Sequence, residues 1–320
     1  MDHPQAKKAH SSGPRFGAHL SVAGGLHLAL EQARSLGCEC LQIFVKNQRQ
    51  WRAPPIRDEQ IDAWREAKRE SQVDPVVAHA SYLLNLASPE ETTRRQSIAA
   101  MIDELTRCEA LGLQSLIFHP GAHLTGTLDE GIAHVARSLD EVFASCAGYR
   151  TLILLESTAG QGSAIGWHFD HLARILDGVS ASERAGVCLD TCHLFAAGND
   201  FRSREGYEAM IGELDRAIGC HRVRCIHMND SVKECGSRVD RHAHIGEGKI
   251  GKEGFAHFVN DPRFAKVPMI LETPKGTDGR GTDYDKVNLK RLRGLVERGL
   301  LVRVGMQREA QLDAFEENTP

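Results

Sequence analysis

Eight short β-rich runs alternate with longer stretches of helical period along this chain, and that alternation restricts the fold more than any other feature. The runs are RFGAHLS from Arg15, CLQIFVK from Cys40, PVVAHAS from Pro75, SLIFHPG from Ser115, TLILLES from Thr151, AGVCLDT from Ala185, RCIHMND from Arg224 and PMILET from Pro268, starting 25 to 44 residues apart. That spacing leaves room for a helix after each strand, the rhythm of a parallel sheet. Strands covered on both faces read as continuous apolar runs, as TLILL and PMIL do. Between the third and fourth runs, Ser88, Pro89 and Glu91 predict an N-cap, a first-turn proline and a capping box. Ile98, Met101, Ile102, Leu105 and Cys108 then recur at helical spacing, and Gly112 is placed to end the helix with a positive φ.

No change of composition marks a linker between the eight units. The expectation is therefore a single-domain α/β fold, a (β/α)8 TIM barrel over residues 15–301, rather than two doubly wound domains. Residues 1–14 and 302–320 read as polar tails, the first disordered.

Apolar residues make up 41% of the 320 and charged ones 26%, which excludes a disordered, collagenous or coiled-coil chain. The net charge, 39 − 43 = −4, announces no overall basic field, so any polyanion site must be local. No apolar run has the length of a membrane helix, and MDHPQAKKAHSSGPR carries no apolar leader segment. Nine cysteines are scattered without a CxxC pair, which argues against a disulfide framework or a thiolate zinc knuckle and for a reducing, cytoplasmic setting. Sixteen histidines are the unusual feature, because neutral imidazole is a common transition-metal ligand.

In such a barrel the C-terminal strand ends converge on one mouth. The third to eighth runs end with His79, His119, Glu156, Asp190, His227 and Glu272. One such residue is more often structural than ligating, but six in register are not. Gathered carboxylates repel unless cations neutralise them. His193 follows in DTCH, and Asp240 and His242 lie two apart in VDRHAH, bringing the candidates to nine. Five His, two Asp and two Glu suit zinc, manganese or iron, and nine ligands suffice for three ions with open positions and a shared carboxylate. Four carboxylates against three divalent ions leave about +2 to be met by an anion such as a phosphodiester. GEGKIGKE from Gly246 nearly matches a phosphate loop, but Glu253 stands where Ser or Thr must be, and no GxSxG elbow is present.

The sequence resembles the endonuclease IV family, the zinc-dependent apurinic/apyrimidinic endonucleases. GAHLSVAGG from Gly17, KNQRQW from Lys46, HASYLLNLASP from His79, FHPGAH from Phe118, ESTAGQGS from Glu156, GVCLDTCHLFAAG from Gly186, HMNDS from His227, SRVDRHAHIGEGKIG from Ser237 and ILETPK from Ile270 carry the match, from about Phe16 to Leu301. The resemblance implies a first zinc on His79, His119 and Glu156, with Glu156 bridging to a second on Asp190, His227 and Glu272. His193, Asp240 and His242 would hold the third, and Glu156 and Glu272 would be the catalytic carboxylates. The implied reaction is hydrolysis 5′ to an abasic site in double-stranded DNA, leaving a 3′-hydroxyl and a 5′-deoxyribose phosphate, with trimming of blocked 3′ ends. Arg49, Tyr82 and Leu83 match positions that enter the minor groove beside the flipped-out sugar. Ala80 and Ser157 depart from the family pattern beside ligands, where outer-shell orientation is set. His19, His123 and His244 lie in matched motifs but are not assigned as ligands.

QLDAF, from Gln311 to Phe315, is similar to the Gln-Leu-x-x-Phe peptide by which bacterial repair proteins dock on a sliding clamp; the competing reading is a frayed last helix. Relatives suggest a monomer. Two other classes stay open. One is a sugar isomerase or epimerase of the xylose-isomerase-like barrels, which binds one or two ions held mostly by carboxylates. The other is a non-catalytic damage-binding protein, against which nine filled ligand positions argue.

Overall fold

A computed structural model describes residues 13–297. Its eight long strands are β1 Arg15–His19, β2 Cys40–Phe44, β3 Val76–His79, β4 Ser115–Phe118, β5 Leu152–Glu156, β6 Ala185–Asp190, β7 Val223–His227 and β10 Pro268–Leu271. They run parallel and close into a barrel in the order β1-β10-β7-β6-β5-β4-β3-β2. Each sits within one of the eight predicted runs, except that β7 starts one residue earlier. The helices α1 Leu26–Leu36, α2 Asp58–Ser71, α3 Glu91–Leu111, α4 Leu128–Ser145, α5 Phe169–Gly178, α7 Arg204–Ala217, α8 Gly251–Val259 and α9 Tyr284–Arg293 follow the strands in turn, with a short extra helix, α6 Thr191–Ala197, directly after β6.

Local chemistry sets the helix ends. Thr127 and Glu130 form a reciprocal capping box at α4, and Gly112 closes α3 at φ 64°, where a side chain would be strained. The α3 start corrects the sequence expectation. The helix begins at Glu91 with Glu90 as its cap residue, and the Ser88 hydroxyl instead accepts from Glu90 N at 3.2 Å in the preceding turn. Ser88 thus falls short of the helix because its hydroxyl is satisfied locally. A two-stranded antiparallel ribbon, β8 Asp230–Ser231 with β9 His242–Ala243, stands outside the barrel and was not expected.

The described cysteines are free, seven buried and two half-buried, as scattered core thiols should be. Among the described residues no helix is long and apolar enough to cross a membrane. Most of the N-terminal tail, the segment 302–320 and the Gln311–Phe315 peptide lie outside the described residues.

Candidate metal centre

Strand alternation builds the site. Cys40, Val77, Ile117, Leu154, Cys188, Cys225 and Ile270 form one inward-facing cluster, one residue from each of seven strands. Gly17 takes the equivalent place on β1, paired with both Cys40 and Ile270; a Cβ there would lie 1.9 Å from the Cys40 carbonyl oxygen. Side chains two residues further along a strand point to the same side. From the eight strands these are His19, Gln42, His79, His119, Glu156, Asp190, His227 and Glu272. Six of them are the predicted strand-end ligands, now seen to share one layer above an apolar floor.

Glu156 is the hub, and its side chain is 1% exposed. One carboxylate oxygen, Oε2, faces His79 Nε2 at 2.9 Å and His119 Nε2 at 3.3 Å; the other, Oε1, faces His227 Nδ1 at 3.1 Å and His193 Nδ1 at 3.3 Å. Glu272 Oε2 lies 3.3 Å from the same His227 nitrogen. Asp240 reaches His193 Nε2 and His242 Nε2, each at 3.1 Å. Ligand atoms of His79, His119 and Glu156, and those of Glu156, Asp190, His227 and Glu272, lie within 4.8 Å of one another. Asp190, His193 and His242 form a third such group, so Asp190 also joins the second cluster to the third. All nine predicted residues come together.

The backbone orients the imidazoles. Nδ1 of His79, His193 and His242 lies 2.7, 2.8 and 3.1 Å from the carbonyls of Ala80, Ser157 and Glu272. A ring that donates Nδ1–H in this way keeps Nε2 as a free lone pair, the form a metal takes. His242 Nε2 is buried and, although Asp240 lies close, makes no hydrogen bond of acceptable geometry. An orphaned, inward-aimed imidazole lone pair is what a cation site leaves behind in the protein's own hydrogen bonding, so the residues fit metal ions. The groups of Ala80 and Ser157 that meet His79 and His193 are backbone carbonyls, so a change of side chain at either position leaves those contacts in place. The Ser157 hydroxyl also accepts from Asp190 N at 2.9 Å.

Sequence reasoning passed over Gln42 and Asn229. Asn229 donates to Asp190 Oδ2 at 2.7 Å and accepts from Glu272 N at 2.8 Å, tying two ligand strands together. Gln42 was signalled by its register, two residues after Cys40. The three unassigned histidines separate: His19 joins the Gln42 network, while His123 Nδ1 meets the Gly126 carbonyl and His244 stacks on Tyr284.

A family model described as a xylose isomerase-like TIM barrel matches residues 30–293. A protein of Chloroflexus aurantiacus named probable endonuclease 4 is 52% identical over 285 residues, covering 89% of this chain and 99% of its own length. The crystal structure of endonuclease IV from Thermus thermophilus matches with a TM-score of 0.77 and 38% identity, covering 88% of this chain and 98% of that one. The chain belongs to the endonuclease IV family. It is an enzyme of that nuclease type. A D-tagatose 3-epimerase-like protein also matches, with a TM-score of 0.66 over 92% of the chain, but at 20% identity that likeness shows the shared barrel alone.

The cluster is strongly polarised. Burial opposes charge on Glu156, yet the adjacent His119 and His227 hold its carboxyl well below the usual range. Burial likewise opposes charge on His242, but Asp240 and Asp190 push it up to about 9. Without cations the gathered carboxylates favour an extra proton on the neighbouring imidazoles, and a bound metal cation would take the place of that proton on the lone pair. Cys192 also lies with Asp240 and His242, and Cys188 and Cys225 with His227. Burial lifts the Cys192 thiol to about 12, and it donates to the Arg241 carbonyl, so ligation through the Cys192 thiolate is disfavoured.

Beside the centre, a cleft of about 330 Å³ is lined by Tyr82, Leu83, Asn85, His119, Gln161, His193 and Asp240 among others. Tyr82 is 60% exposed and Leu83 36%, and Arg49 is exposed on the loop after β2. The phosphate-loop look-alike at Gly246 is already filled. Asp230 accepts there from the backbone N–H groups of Gly246, Gly248 and Ile250.

Proposed function

We propose that this chain is a DNA repair endonuclease that hydrolyses the phosphodiester 5′ to an abasic site, leaving a 3′-hydroxyl and a 5′-deoxyribose phosphate, and trims blocked 3′ ends. His79, His119 and Glu156 would hold one zinc ion, Glu156, Asp190, His227 and Glu272 a second, and His193, Asp240 and His242 a third. The observation that carries the reading is this third group. A sugar isomerase, needing one or two ions on carboxylates, has no use for His193 and His242. When bound, the ions supply an activated water and charge stabilisation at the attacking and leaving oxygens of the phosphodiester.

The residues of the chain do the positioning. Glu156 presents one oxygen to each side of the centre, and Glu272 stands over the same imidazole from the end of β10. Tyr82 and Leu83 project from the third loop as apolar wedges that fill the gap left when an abasic nucleotide swings out, the nucleotide with least stacking to lose. Arg49 would enter the minor groove beside them. The enzyme would act as a cytoplasmic monomer.

A duplex carrying one tetrahydrofuran abasic analogue tests the proposal, because the analogue cannot be cut by β-elimination. The zinc-loaded protein is expected to incise 5′ to it and leave an end that a polymerase extends; an uncut duplex overturns the reading. For the separate sliding-clamp reading of Gln311–Phe315, deletion of residues 307–320 is expected to remove clamp binding.

A further inference from the structure

We infer that Gln42 sets the tautomer of His227 and the free oxygen of Glu272, and so tunes the affinity of the ion they share. The inference rests on the metal-centre reading above. Gln42 is fully buried on β2, a strand that contributes no ligand, yet its side chain stands in the ligand layer. His227 Nε2 donates to Gln42 Oε1 at 2.7 Å. The Gln42 amide donates one hydrogen to Glu272 Oε1 at 2.5 Å and the other to His19 Nδ1 at 2.8 Å.

Each bond has a consequence. Accepting from Nε2–H leaves Nδ1 as the lone pair of His227, the nitrogen that faces Glu156 and Glu272. His227 is thereby reversed relative to His79, His193 and His242, whose Nδ1 atoms meet backbone carbonyls. For His227 the amide of Gln42 takes the place of that carbonyl. Holding Glu272 Oε1 leaves only Oε2 turned toward the imidazole and the cluster. Only a primary amide can accept from one ligand and donate to the next, with its second hydrogen spent on His19. Outer-shell groups that fix ligand orientation in this way change metal affinity by roughly 10- to 100-fold.

The test compares zinc affinity and the His227 tautomer in wild type, Gln42→Met and Gln42→Glu. Affinities come from chelator competition, tautomers from long-range proton–nitrogen spectra of histidine-labelled protein. Gln42→Met keeps the volume and removes all three bonds; it is expected to weaken one of the three ions by roughly 10- to 100-fold and leave His227 as a mixture of tautomers. Gln42→Glu keeps an acceptor for His227 but cannot donate to a carboxylate, so it is expected to retain the Nε2–H form while still losing zinc. Unchanged zinc affinities in both variants, or an unchanged His227 tautomer in Gln42→Met, overturn the inference. If wild type itself binds no zinc, the metal-centre reading has failed instead.

Discussion

The ammonium of Lys46 lies 3.3 Å from Glu104 Oε1, with both side chains 1% exposed. This pair couples two loops of the rim. Lys46 also donates to the Trp51 carbonyl in the loop that carries Arg49, and Glu104 accepts from Ser81 N at 3.1 Å beside Tyr82 and Leu83. The Ser81 hydroxyl closes the link by donating to the Gln48 carbonyl at 2.6 Å. Removing one partner leaves a buried charge, so Lys46→Met should cost about 3–5 kcal/mol in urea unfolding. The double variant with Glu104→Gln should recover much of that loss while binding to abasic duplex stays weakened; full recovery of binding would show that the pair does not position the loops.

Glu156→Gln should fold but not incise. The amide keeps the shape yet carries no charge, and one of its ends presents N–H groups where lone pairs are needed. Circular dichroism should be native while incision is lost. Near-native activity would remove Glu156 from the bridging role.

Tyr82→Ala and Leu83→Ala separate binding from stability. Both side chains are solvent-exposed, so unfolding free energies should move by no more than about 0.5 kcal/mol. Affinity for an abasic duplex should fall by roughly 10- to 100-fold, and affinity for undamaged duplex much less. Equal losses on both duplexes would mean that the wedge does not read the gap.

The strands and the clustered side chains at their ends were legible because a parallel barrel needs continuous apolar runs and puts its chemistry at their ends. Val77 to His79, Leu154 to Glu156 and Cys188 to Asp190 each show the step of two that carries a core position into the site. The same step leads from Gly17 to His19, which was noted but not assigned as a ligand, and from Cys40 to Gln42, which was passed over because a neutral amide carries no charge or metal-ligand signal. The β8–β9 ribbon was not legible, since its two-residue strands are defined by pairing across the intervening loop rather than by any local pattern. The α3 start was misplaced because Ser88 satisfies a turn N–H that a sequence pattern cannot tell from a helical one.

Acid sensitivity should show at Glu109. Its carboxylate accepts from Arg150 N and Thr151 N, each at 3.0 Å, and from the Thr151 hydroxyl at 2.8 Å, anchoring the start of β5. Partial burial opposes its charge, but the Thr151 and Arg150 bonds hold it below the usual carboxylate range. A lowered native pKa stabilises the fold above the unfolded value of about 4.3, and that stability disappears as pH falls through the native pKa. Glu109→Gln should therefore cost about 1 kcal/mol at neutral pH, with the difference from wild type shrinking below about pH 4. A gap that stays constant into acid would contradict this.

The proposed activity requires that nine side chains form one three-ion centre. Native mass spectrometry of zinc-loaded, desalted protein counts the ions directly. Three zinc ions per chain are expected, falling to two when His193 and His242 are both replaced by alanine. One or two ions in the wild-type chain, unchanged by that replacement, would contradict it.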